Sequence, residues 1–86
     1  MEAHKFRRRY AVRLKLLFER MWKKRFAVPP PDVSRTMYSL VYRFDPGFVE
    51  SVLLAWFRDE EYGAAAAHYD PEHFKRCVYR EAQGGE

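Results

Sequence analysis

The chain has 86 residues, of which 48% are hydrophobic, 17% aromatic and 33% charged, and it carries a formal net charge of +4. That is enough apolar material for one packed core, which excludes a wholly disordered chain, and too little chain for a dinucleotide-binding fold or a barrel. A single cysteine excludes an intramolecular disulfide framework and a thiolate zinc cage.

The first predicted element is a helix over residues 3–26. Phe6, Tyr10, Leu14, Leu17 and Met21 recur every three or four residues and make one apolar stripe, with Phe18 and Trp22 at its edge. Lys5, Arg9, Arg13, Arg20, Lys23 and Lys24 fall together on another face, bordered by Val12 and Leu16. Three prolines at 29–31 lack amide donors, so they end this helix and form a stiff spacer. That spacer is the expected hinge between a basic arm and a helical body over 32–82.

A second helix begins near Asp32 or Ser34, either of which can cap it, and carries Val33, Met37, Leu40, Val41 and Phe44 at helical spacing. Asp45-Pro46-Gly47 is a turn that starts a third helix, with Asp45 as cap and Pro46 where a missing donor costs nothing. This helix runs to about Arg58 and is apolar nearly all round, so it is expected at the centre of the core. Asp59, Glu60 and Glu61 suit the start of a further helix through the alanines at 64–67. Asp70-Pro71 repeats the cap-then-proline signal before a last helix with Phe74, Cys77 and Val78 on one face. Residues 83–86 are expected to fray. The sum is an all-α single domain of four to five helices, with a long basic amphipathic helix packed on a compact helical body.

Charge divides the chain unevenly. Residues 1–26 hold ten Lys/Arg against Glu2 and Glu19, a net of +8, and the remainder carries a net of −4. No run approaches the roughly 18 apolar residues of a spanning helix. The start of the chain is basic, as in a signal peptide, but Arg13 and Lys15 interrupt any apolar run behind it. A lone cysteine fits a reducing compartment, and the expected location is cytoplasmic.

Catalytic constellations are absent from the sequence. His73 and Cys77 stand four apart, so they can meet on a helix. A metal site there lacks a fourth ligand, and a Cys-His nucleophile pair lacks an orienting partner, which leaves Cys77 as a small core residue. Glu60 and Glu61 are adjacent and diverge on a helix, whereas paired-carboxylate chemistry needs convergence. The expectation is a protein that is not an enzyme and takes neither cofactor nor metal.

The basic helix is the feature that points to a partner. Lys5, Arg7, Arg8, Arg9, Arg13, Arg20, Lys23, Lys24 and Arg25 are the candidate phosphate ligands for DNA, RNA or a nucleoprotein assembly. Contacts of that kind position a protein on a backbone and read little sequence. Phe6, Tyr10, Phe18, Trp22 and Phe26 interleave these cations and, if exposed, would stack on bases. The alternative is a protein-interaction module whose first helix docks on an acidic-rimmed groove or pairs with a second copy. An anionic membrane surface ranks third, because no second anchor accompanies the helix.

Overall fold

The computed structural model describes residues 2–58 and 71–84. Within them the chain is all-α, with helices α1 (Glu2–Arg25), α2 (Ser34–Arg43), α3 (Pro46–Arg58) and α4 (Pro71–Ala82). The reading of residues 59–70, including a helix through the alanine run and the Asp70 cap, lies outside the described residues.

Local chemistry sets the ends of these helices. α1 stops four residues short of Pro29, which biases Val28 toward extended backbone. The turn that follows is tied back to the helix: the Trp22 indole N–H donates to the Val28 carbonyl at 2.8 Å, and the Phe26 ring lies 4.5 Å from the Trp22 ring. Before α2, Asp32 Oδ1 accepts from the Ser34 N–H at 3.0 Å, so Asp32 satisfies that donor from outside the helix while Val33 occupies the cap position. Asp45 caps α3 as its sequence suggests, with Oδ2 accepting from the Phe48 N–H at 3.1 Å and Pro46 opening the helix. Gly47 leaves room for that carboxylate, since a Cβ there would stand 3.1 Å from Asp45 Oδ2. α4 closes on Gly84, whose φ of 105° belongs to the left-handed region that glycine adopts without strain. Gln83 and Gly84 donate to the Arg80 and Glu81 carbonyls, so the start of the expected frayed tail is a hydrogen-bonded turn.

α2 and α3 each pack against all three other helices, and α1 makes its most extensive contact with α2. The core therefore centres on the α2–α3 pair and not on α3 alone. Met37, Leu40 and Val41 of α2 meet Val49, Val52, Leu53, Trp56 and Phe57 of α3, with Phe74, Cys77 and Val78 closing from α4. α3 is not buried all round: Ser51, Leu54 and Ala55 form an outward seam.

α1 buries a different face from the one its periodicity centres on. Ala11, Leu14, Phe18 and Trp22 are the buried residues, at spacings of three, four and four. Tyr10, Leu17 and Met21 are half-buried at one flank, and Phe6 is 56% exposed. The buried face is rotated from that stripe by roughly a quarter of a turn, because the aromatic pocket lies there. Phe18 stacks 5.8 Å from Trp22 and 6.0 Å from Trp56, and meets Phe57 edge-on at 5.1 Å. These contacts place α1 inside the same core as the body. The proline segment turns the chain but does not separate an arm from it, because Val33 just beyond it is fully buried.

Candidate nucleic-acid interface

Burying Leu14, Phe18 and Trp22 forces the opposite side of α1 into solvent. Lys5, Arg9, Arg13, Arg20, Lys23 and Lys24 lie there within an arc of about 100°, and every one of them is exposed. From Lys5 to Lys24 the row is about 28 Å long at the helical rise per residue. Arg8, to one side of this row, and Arg25, at the end of the helix, are also exposed. Lys23, Lys24 and Arg25 fill the last turn, where cations also complement the helix dipole.

Among the described residues, the carboxylates near this face are few. Arg13 reaches Glu50 of α3 at 3.3 Å, and Lys15 pairs with Glu19 along the helix at 3.5 Å. The Glu50 carboxylate also accepts from the Tyr10 hydroxyl. That bond and the neighbouring charge on Glu50 raise the Tyr10 phenol above its ordinary value, with desolvation adding to them. Among the described residues, no carboxylate pairs with Lys5, Arg8, Arg9, Arg20, Lys23 or Lys24. A row of like charges without counter-ions raises the local potential and concentrates anions.

Arg7 is set apart from this row. Its guanidinium donates to the Val41 carbonyl and to the Phe44 carbonyl, the latter at 3.2 Å. Val41 belongs to the last turn of α2, whose carbonyls an α-helix leaves without internal partners, and Phe44 is the residue that ends it, so the cation sits favourably at that negative end. Arg7 thus joins α1 to α2. Its side of the helix was legible in the sequence, because it precedes Leu14 and Phe18 by seven and eleven residues and shares their face, but its acceptors on α2, 34 and 37 residues away, were not. The pairing of Arg13 and Tyr10 with Glu50 had no such signal, since about 40 residues separate the partners.

The aromatic residues of α1 do not form the stacking platform that interleaving suggests. Phe18 and Trp22 are core, Tyr10 is held against Glu50, and Phe26 lies on Trp22. Phe6 alone of the five is exposed, near the start of the row and edge-on to Tyr10 at 5.5 Å.

Two grooves adjoin α3. One, of about 420 Å³, runs between α1 and α3 and is lined by Arg13, Leu16, Leu17, Arg20, Glu50 and Leu54. Leu16 and Leu54 are 53% and 39% exposed, so this groove is apolar in its floor, and its polar lining is Arg20 and the Arg13–Glu50 pair. The sequence showed Leu16 beside the basic face but not that α3 would set Leu54 against it. The other, of about 320 Å³, lies between α3 and α4, with Trp56, Cys77 and Arg80 in its lining.

His73 and Cys77 do meet, at 3.9 Å between Nδ1 and Sγ. The same Nδ1 accepts from the Trp56 indole N–H at 3.0 Å, so this nitrogen is engaged in holding α4 to α3. Among the described residues, no cluster of three or more His, Cys, Asp or Glu side chains could hold a metal ion, and no helix is long and apolar enough to cross a membrane.

No protein-family model, curated protein or solved structure matches this chain. The functional reading therefore rests on the residues themselves.

Proposed function

We propose that this is a small accessory protein that binds nucleic acid through its phosphates, with the outer face of α1 as the contact surface. The observation that carries the reading is the row of exposed cations from Lys5 to Lys24, most of them without a carboxylate partner among the described residues, on a helix whose other side is locked into the core. Such a row gains affinity by releasing condensed counter-ions. It recognises the backbone and not base edges. Arg9, Arg13 and Arg20 carry planar forks suited to phosphate oxygens, while Lys5, Lys23 and Lys24 act as point charges.

The test is binding to short labelled DNA and RNA across a salt series. Six phosphate contacts on a duplex predict that log K falls by about five per tenfold rise in salt. Arg9→Glu, Arg20→Glu and Lys24→Glu together change exposed side chains that have no ion-pair partner among the described residues, so the variant should fold as the parent does. It should lose most of its affinity and show a shallower salt dependence. Undiminished binding by the folded variant, or no binding by the parent at low salt, would refute the proposal.

A second reading has its own observation. The groove floored by Leu16, Leu17 and Leu54 and rimmed by Arg13 and Arg20 suits an apolar segment of an acidic protein partner. Under that reading Leu16→Ser and Leu54→Ser, both at exposed positions, abolish partner binding, while phosphate binding stays intact.

A further inference from the structure

We infer that the nucleic acid on the α1 face is a duplex and not a single strand. The inference rests on the phosphate reading above and concerns the form of the ligand. A single strand is normally held by two devices together: a cationic track for its backbone and aromatic faces on which its unstacked bases lie. Among the described residues, α1 has the first device without the second. Phe18 and Trp22 are 0% and 6% exposed, with their ring faces against other core rings. The Tyr10 hydroxyl is bound to Glu50, and the Tyr42 ring lies against His4 with its hydroxyl 3.0 Å from the imidazole. Phe6 is the exposed ring on α1, and one ring near the end of the row serves one base at most.

The track itself fits a stiff polyanion. α1 is fastened near its start by Arg7 on the end of α2, along its length by Phe18, and near its end by the burial of Trp22. The cations are thus carried on a straight rod of about 28 Å, the length of roughly eight base pairs. A duplex presents one phosphate charge per about 1.7 Å of axis, already in order. Each phosphate contact releases about 0.9 counter-ion from a B-form duplex and about 0.7 from a single strand. Six contacts therefore predict salt slopes near −5 and near −4. With no stacking to compensate, the duplex is preferred at low salt.

The experiment compares three fluorescent probes of about 12 nucleotides or base pairs (a DNA duplex, an RNA duplex and the single DNA strand) by anisotropy over a salt series. The expected result is that at least one duplex binds on the order of tenfold tighter than the strand at low salt, with the steeper slope. Which duplex binds tighter identifies the source of the phosphates. A single strand bound as tightly as either duplex overturns this inference and leaves the phosphate reading standing. No binding of any probe overturns both. Phe6→Ala gives a second check, because it should leave strand affinity within about twofold; a tenfold loss would reveal stacking and overturn the duplex assignment.

Discussion

Two phenylalanines on one helix offer a sharp test of how α1 is seated. Phe6 lies on the apolar stripe that periodicity selects, and Phe18 lies at that stripe's edge. In the fold Phe18 is fully buried against Trp22, Trp56 and Phe57, and Phe6 is 56% exposed. Truncating a buried Phe to Ala removes its transfer free energy and leaves a cavity, at a cost of about 3–5 kcal/mol. An exposed position away from special contacts costs about 0.5 kcal/mol or less. The whole stability of a domain this size is on the order of 4–13 kcal/mol, so Phe18→Ala removes a large share of it. In a thermal melt that loss corresponds to a fall of roughly 15–30 °C, and Phe6→Ala to a few degrees at most. Urea unfolding followed by circular dichroism gives both free energies on one scale. The reasoning fails if Phe6→Ala costs as much as Phe18→Ala, or if Phe18→Ala costs less than about 1 kcal/mol. Either result would mean that α1 is not docked through its Leu14–Phe18–Trp22 face.

Three further outcomes follow from single contacts. Trp56→Ala should cost about 3–5 kcal/mol in the same urea assay, because its ring fills the space among Phe18, Phe57 and Phe74 and its N–H is bonded to His73; Trp22 remains as the fluorescent reporter. Arg7→Ala should cost about 1.5–3 kcal/mol, the range of hydrogen bonds to a charged group, whereas Arg8→Ala, at an exposed site without an ion pair among the described residues, should be near neutral. Tyr10 should ionise above its ordinary value of 10.0, because its hydroxyl donates to Glu50 and its phenolate would face that carboxylate. A folded-state value above the unfolded one means that its contribution to stability is complete below pH 10 and is lost as pH rises through the raised value. Stability measured on both sides of that window should fall more in the parent than in Tyr10→Phe, and equal falls would contradict the assignment.

Much of the fold can be read along the chain, because helices are encoded locally. The caps at Asp45 and Pro46, the stop before the prolines and the apolar spacings of α2 and α4 depend on neighbours a few residues away. The separation of charge is equally local, and so the row from Lys5 to Lys24 was legible as a candidate surface. Which side of α1 faces inward was only roughly legible. Its hydrophobic residues cover a broad arc, and the pocket made by Trp56 and Phe57 chose Phe18 and Trp22 from within that arc.

The sequence by itself determined that this is a helical protein with a cationic first helix. The tertiary structure decided what the side chains of that helix do. It buried Phe18 and Trp22, set Arg7 against the end of α2, and brought Glu50 and Leu54 of α3 to the edge of the face. The reason is physical: helix formation follows contacts three and four residues apart, whereas burial, capping by a distant guanidinium and the pairing of Tyr10 with Glu50 depend on packing between segments some 35–40 residues apart.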